Sequence, residues 1–344
     1  MDLSQSNGTN LQIPVIDLSH ATAQTADKLI DAVSRYGFVF VKGEGLGFTS
    51  QILDDTFALS KSFFASPIEE KQTCAISANN IGWSSMHTEN LDPKNQKRGD
   101  FKEAMNFGEF IDGKAQQALA PAIAPHETDI HHFYDLCHEL CIKLLKLFAL
   151  GLKIDPFKGG EDFFASRHDT SKGPSGRILR LLHYPAVGKD ESAFDNVVDI
   201  RAGAHSDYGS LTLLFQRAGQ PGLEVLSPTE SWSPVPVYPP GTESDAFPPI
   251  LVNMGDLMQF WTAGVLKSTV HRVVFPPGES EDRYSIAYFC HPLDKVEIET
   301  VPSEMIKTRS EMNKQQNGET ITAEGYLKKR LAETYGWGKA QSTL

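Results

Sequence analysis

Eleven histidines occur in the chain, and two of them stand where they could share a metal ion. In His205-Ser206-Asp207 an imidazole and a carboxylate lie two residues apart, just before the strand-like run Leu211-Thr212-Leu213-Leu214-Phe215. Residues i and i+2 of an extended chain face the same way, so these two side chains can aim a nitrogen and an oxygen at one point. His271 opens a second strand-like run, Val270-His271-Arg272-Val273-Val274. Two histidines and a carboxylate on separate strands form a facial triad that leaves iron positions open for a chelating cosubstrate and dioxygen. Further on, Arg283-Tyr284-Ser285 puts a guanidinium and a hydroxyl on one face of a third strand, a pairing suited to clamping a carboxylate.

Taken alone, the H-x-D pattern carries little, since eleven histidines give about one chance match, and His87-Thr88-Glu89 is such a match. His87 sits in a polar stretch with no β-run after it, whereas His205 is framed by glycines and a strand. A lone His271 would ordinarily be a hydrogen-bonded core histidine. The ordered set of H-x-D, His and R-x-S decides for the metal.

The elements that must position these residues form two textures. Up to about residue 120 the pattern is mixed α and β: an edge strand at Ile13 to Leu18, a helix over Asp27 to Tyr36, a strand at Phe38 to Val41 and a helix over Ile52 to Phe64. Residues 79 to 107, with Trp83, Phe101 and Met105, are expected either to fold over the site as a lid or to run as a solvated connector. From Asp129 to Leu152 one apolar face persists over several turns, a helical spine stopped at Asp155-Pro156. Cys137 and Cys141 lie within that stripe and are read as small buried hydrophobes.

Residues 175 to 295 carry short β-rich runs between Gly/Pro turns: Ile178 to Tyr184, Leu211 to Phe215, Leu223 to Leu226, Ile250 to Asn253, Leu257 to Trp261, His271 to Phe275 and Tyr284 to Cys290. Their spacing predicts a mainly β fold with flanking helices and a double-stranded β-helix, or jelly-roll, core. Tyr238 to Pro249 is expected to be a loop, and a last surface helix is expected within 317–336. The whole chain, 1–344, is read as one domain.

With 32 Lys and Arg against 44 Asp and Glu, the net charge of -12 disfavours a nucleic-acid partner and leaves a small molecule as the default. No run approaches the roughly 20 apolar residues of a membrane span. The four cysteines form neither a disulfide framework nor a paired zinc motif, which fits a reducing compartment. The sequon Asn7-Gly8-Thr9 is read as accidental, the terminal Ser342-Thr343-Leu344 as a poor targeting signal, and the expected location is cytoplasmic. Phe38 to Val41 followed by Gly43 and Gly45 suggests a nucleotide loop, but Phe48 stands where the third glycine belongs.

Over nearly its whole length the sequence resembles the iron(II)- and 2-oxoglutarate-dependent dioxygenases, in the isopenicillin N synthase-like branch. The resemblance is carried by Ile13-Pro14-Val15-Ile16-Asp17, Gly37-Phe38, Leu181-Leu182-His183-Tyr184-Pro185, Asn253-Met254-Gly255-Asp256, Ser268 to Val273 and Arg283-Tyr284-Ser285. The runs His183 to Val187 and Arg283 to Cys290 look most like thymine 7-hydroxylase-type enzymes. The resemblance implies that His205, Asp207 and His271 hold Fe(II), and that Arg283 and Ser285 bind the far carboxylate of 2-oxoglutarate, with Tyr184 helping. It further implies that O2 and 2-oxoglutarate are consumed to oxidise an unactivated C–H bond, giving succinate and CO2.

Family members often carry Asn two positions before that tyrosine, where this chain has Leu182, and Thr262-Ala263-Gly264 replaces the usual Ser-Asn-Gly turn. By the same resemblance Arg180, Tyr208 and Phe289 would face a flat polar substrate, pyrimidine-like or a specialised metabolite, while Phe215 and Trp261 are assigned to packing. Two other functions stay open at this level: an iron oxidase on the same fold that needs no cosubstrate, and a non-catalytic iron-binding sensor.

Overall fold

The computed structural model describes residues 11–186, 200–276, 281–299, 301–306 and 321–335. The sequon at Asn7 and the tripeptide ending at Leu344 lie outside the described residues. Fourteen strands are present among the described residues: β1 (Val15–Ile16), β2 (Phe38–Val41), β3 (Gly82–Ser84), β4 (Glu103–Phe107), β5 (Phe110–Ile111), β6 (Lys114–Ala115), β7 (Ile178–Tyr184), β8 (Ala202–His205), β9 (Leu211–Gln216), β10 (Leu223–Leu226), β11 (Trp232–Pro234), β12 (Ile250–Met254), β13 (His271–Val273) and β14 (Arg283–Cys290). The helices are α1 (Ala23–Arg35), α2 (Ser50–Phe64), α3 (Ile68–Gln72), α4 (Glu127–Gly151), α5 (Asp256–Trp261) and α6 (Ala323–Tyr335).

Eight strands pair in the order β1-β2-β12-β9-β14-β7-β4-β3, four more as β11-β10-β13-β8, and β5-β6 is a separate hairpin. Strand side chains alternate between faces, and that period of two sorts the large sheet into two surfaces. Leu179, Leu181, Leu213, Ile286 and Tyr288 face outward into an extensive core shared with the helices. Leu182, Tyr184, Leu251 and Ala287 face inward and pack with Val225 and Val273 of the small sheet. The two sheets thus close on each other as a jelly-roll core does, in agreement with the fold expected from the strand spacing.

The spine α4 buries Phe133, Leu136, Cys137, Leu140, Cys141, Leu144, Leu147 and Phe148, the predicted face. It ends at Gly151, one residue short of the expected Leu152, where a Cβ would lie 2.8 Å from the Ala26 carbonyl oxygen and 2.5 Å from an Ile30 carbon. Glycine there lets α1 and α4 approach closely. Phe215 packs on Phe48 and Phe133, and Trp261 on Phe163 and Phe164, as their assignment to packing requires.

Three local expectations are corrected. Leu257 to Trp261 is helical, not a strand: Leu257, Met258 and Trp261 bury one helical face, and the Asp256 N–H bonds back to the Asp207 carbonyl instead of to a neighbouring strand. Residues 79 to 107 are not one connector, because they contribute β3 and β4 to the large sheet, with Trp83, Phe101 and Met105 buried, while Asn80, Glu89 and Leu91 line a cavity over His205 and Asp207, the side on which a lid was expected. Finally, His205 does not stand at the entrance of the Leu211 strand; it ends β8, a four-residue strand too short and too Gly/Ala-rich for the periodicity to reveal. The C-terminal helix runs over Ala323–Tyr335, and the rest of 317–336 apart from 321 and 322 lies outside the described residues.

Candidate active site

β8 and β13 pair antiparallel with His205 directly opposite His271, so the two imidazoles meet across the small sheet with ring centroids 4.4 Å apart. Asp207 lies just beyond β8, and its Oδ1 is 3.8 Å from Nε2 of each histidine. One donor atom from each of the three residues falls within 4.8 Å of the others. The Nδ1 of His205 faces the Gly203 carbonyl at 2.7 Å and that of His271 the Thr269 carbonyl at 3.2 Å. A carbonyl can only accept, so Nδ1 carries the proton in both rings and the Nε2 lone pairs point to the shared centre.

The carboxylate is fixed just as firmly. Thr212 Oγ1 and Asn253 Nδ2 each donate to Asp207 Oδ2 at 2.7 Å, which leaves Oδ1 for the centre. Burial alone would raise the Asp207 pKa, but His271, His205 and these two donors outweigh it and hold the group below the usual carboxylate range. Burial and the neighbouring His271 hold His205 down at about 4, so its imidazole is neutral and able to bind a metal. Two neutral imidazole nitrogens and one carboxylate oxygen are the donor chemistry that a divalent iron ion requires.

The segment after His205 is pinned from behind by α5. The Asp256 N–H donates to the Asp207 carbonyl at 2.7 Å and the Gly255 N–H to the Ser210 carbonyl at 3.0 Å. Ser206 Oγ donates to Asp256 Oδ2, which also pairs with Arg330 of α6. A Cβ on Gly255 would sit 2.1 Å from the Gly209 carbonyl oxygen, so the two backbones touch only because position 255 is glycine. The run Asn253-Met254-Gly255-Asp256 therefore acts as the brace of the metal loop.

Two cavities meet at this centre, sharing His205, Asp207, Arg180, Leu91 and Phe289 in their walls. The inner one runs between the sheets to Arg283, Ser285 and Tyr184. Arg283 and Ser285 are both 1% exposed, Arg283 Nη1 donates to Ser285 Oγ at 3.3 Å, and the guanidinium lies 5.0 Å over the Tyr184 ring. The three residues expected to hold the cosubstrate are therefore together, on the inward faces of β14 and β7. Leu182 also faces inward, an apolar wall where a polar contact is absent.

The outer cavity is lined by Arg180, Tyr208 and Phe289, the three residues proposed for substrate, and by Leu327 and Leu331 of α6. Arg180 is not an open donor. Its Nη2 pairs with Glu89 at 2.8 Å and its Nε donates to Asn106 at 2.6 Å, while Glu89 also pairs with Lys102 at 3.0 Å. Lys102 is held charged by Asp100 and Glu89 despite complete burial. His291 also lines this cavity, its pKa pushed down to about 4 by burial, so the ring is neutral.

Glu89, Lys102, Asn106, His291, Leu327 and Leu331 were not singled out from sequence as site residues. Glu89 was visible only as part of the His87 match; His87 itself lies outside the triad, with Nδ1 2.8 Å from the Gly99 carbonyl. Asn253 had a signal, since it heads the Asn-Met-Gly-Asp run.

The comparisons with known proteins agree with this geometry. Residues 13–127 match the family described as the non-haem dioxygenase in morphine synthesis N-terminal region, and residues 175–292 match the 2OG-Fe(II) oxygenase superfamily. A UPF0676 protein of Schizosaccharomyces pombe is 37% identical, with 95% of this chain and 94% of that protein covered. The 2-oxoglutarate-dependent dioxygenase gloF of Glarea lozoyensis is 30% identical over 89% of this chain and 92% of its own length. A full-length Neurospora crassa protein crystallised with alpha-KG and thymine is similar in structure, with a TM-score of 0.74, 31% identity and coverage of 95% of this chain and 98% of that one.

Proposed function

The chain belongs to the 2OG-Fe(II) oxygenase superfamily and is an oxidoreductase that uses Fe(II) and 2-oxoglutarate, and on that premise we propose that it oxidises an unactivated C–H bond of a flat, polar small molecule held in the outer cavity. The observation that carries the reading is the meeting of two cavities at one His-Asp-His centre, the inner one ending on a buried arginine and serine. His205, Asp207 and His271 would hold the iron; Arg283 and Ser285, with Tyr184 beneath the guanidinium, would hold the distal carboxylate of 2-oxoglutarate. When bound, iron and cosubstrate supply the oxidation, O2 and 2-oxoglutarate being converted to succinate and CO2 as one oxygen atom enters the substrate.

The chain's own part is orientation and exclusion of water. Thr212 and Asn253 keep one oxygen of Asp207 turned to the centre. Arg283, buried between the two sheets, favours a carboxylate over water at its end of the inner cavity. Phe289, on the same inward face of β14, stands between the inner end and the outer cavity and offers its ring to a flat ligand. Arg180, Tyr208 and Phe289 are the proposed substrate contacts, and the thymine bound to the similar Neurospora protein supports a pyrimidine-like ring as one candidate. Residues 1–344 are proposed to work as one domain, since the outward core joins Ile16 of β1 to Ala323 of α6.

Anaerobic addition of Fe(II) and then 2-oxoglutarate to the apoprotein tests this reading. The expected result is the weak visible charge-transfer band of the iron chelate, lost in Arg283→Ala because truncating one partner of a buried charge pair costs about 2–5 kcal/mol. Iron binding without a chelate band in the wild type would overturn the cosubstrate assignment.

A further inference from the structure

β14 carries its inward side chains at Arg283, Ser285, Ala287 and Phe289, and the next position of that parity is His291, one residue past the strand end. His291 is 6% exposed and lines the outer cavity beside Tyr208 and Phe289. Its ring lies against the metal loop: a Cβ on Gly209 would come within 2.9 Å of Nε2. Among the described residues neither ring nitrogen has a hydrogen-bond partner. Neither nitrogen is among the sealed, unpartnered polar atoms of the described residues, so the ring is open to the cavity, where a ligand group can take the place of water on it.

The charges of the cavity wall point the same way. Arg180 and Glu89 neutralise each other, Asp207 belongs to the metal centre, and Arg330, whose guanidinium covers the Tyr208 ring, is paired with Asp256. A carboxylate entering this cavity would lose its hydration without meeting an uncommitted cation. A neutral amide or lactam edge would meet a neutral imidazole that can donate or accept, with Phe289, Leu327 and Leu331 covering its apolar parts.

Resting on the reading of this cavity as the substrate site, we propose that His291 binds the substrate directly and that the cavity selects an uncharged molecule with an amide-like edge over its carboxylate-bearing counterpart. The residue sets specificity; it takes no part in oxygen chemistry.

Protein loaded anaerobically with Fe(II) and 2-oxoglutarate is titrated by calorimetry with two matched pairs: thymine and 5-carboxyuracil, and 2-pyrrolidinone and pyroglutamate. The neutral member of at least one pair is expected to bind about tenfold or more tighter than its acid, the difference made by the carboxylate hydration that the cavity does not replace. His291→Leu should weaken the neutral ligand about tenfold, and His291→Gln, which restores an amide donor and acceptor, should recover most of the loss. His291→Lys should move the preference toward the acid, a change that a packing role would not produce. Unchanged neutral-ligand affinity in His291→Leu overturns the proposal, as does binding of the acids alone or of no member of either pair. Failure of the underlying reading looks different: the wild-type protein would then show no iron chelate band with 2-oxoglutarate.

Discussion

The two ends of the active-site cavity are built by opposite means. The inner end is made by strands: Arg283 and Ser285 on β14, Tyr184 on β7 and Thr212 on β9, each placed by ladder registers that also fix its neighbours. The outer end shares Arg180 of β7 and Phe289 of β14 with that framework, but the rest of its wall is made by the loop bearing Glu89 and Leu91, by His291 just past a strand, and by Leu327 and Leu331 of α6. A ladder fixes side-chain direction every second residue, so the inner end can be read from one strand at a time. The outer end depends on where distant segments come to rest, and its internal ion pairs already satisfy its charges. The inner end is thus arranged to take up a charged cosubstrate, while the outer end presents shape and hydrogen bonds.

The sharpest break should come at the centre that joins the two ends. His271→Ala removes one of three ligands, and since loss of even an outer-shell partner typically costs 10–100-fold in metal affinity, Fe(II) affinity is expected to fall more than about 100-fold. Equilibrium dialysis with Fe(II) under anaerobic conditions measures this. Retained affinity would show that a different donor set holds the iron.

A smaller and different loss is expected from Glu89→Gln at the outer end. Glu89 is 3% exposed and pairs with both Lys102 and Arg180, so the substitution leaves two buried cations with a neutral amide. Breaking a buried pair costs about 3–5 kcal/mol, and the lower figure applies because Lys102 keeps Asp100 and Arg180 keeps Asn106. Urea unfolding should show that loss in the apoprotein, where no metal contributes. If stability is unchanged while Fe(II) affinity collapses as it does in His271→Ala, the two ends are not separate devices and the comparison fails.

The same contrast explains what the sequence made legible. His205, Asp207, His271, Arg283 and Ser285 could be picked out because they lie in or beside strand-like runs and the R-x-S and H-x-D spacings are short, whereas Tyr184 came only with the family resemblance. β8 escaped notice because Ala202-Gly203-Ala204 carries no apolar alternation; its direction is set by pairing with β13. α5 differs from the strand expected there because Leu257 to Trp261, four apolar residues in five, suits either element, and the Asp256 and Leu257 N–H groups are spent on the metal loop instead of on a neighbouring strand. Lys102 and Asn106 had no local signal, and Glu89 only a misleading one, as the last residue of His87-Thr88-Glu89. Their partners lie far along the chain, and a charged residue in a polar stretch reads as solvated until the fold buries it.

The smallest expected effect tests the choice between the two H-x-D/E matches. His87 takes a positive φ of 61° and its Nδ1 lies 2.8 Å from the Gly99 carbonyl, a link across the loop that carries Glu89 and Leu91. The alternative metal assignment would need His87 near the triad, but its ring instead packs edge-on against Phe101 at 5.6 Å. In His87→Ala the loop loses one hydrogen bond, worth about 0.5–1.5 kcal/mol, and pays the added cost of alanine in a left-handed conformation. Fe(II) affinity should therefore stay within about twofold of wild type, while the KM for substrate rises by about two- to fivefold as the outer wall loosens. A loss of iron binding comparable to that of His271→Ala would return His87-Thr88-Glu89 to the metal site. An unchanged KM would show instead that the loop holds its place without this link, through the Glu89 ion pairs alone.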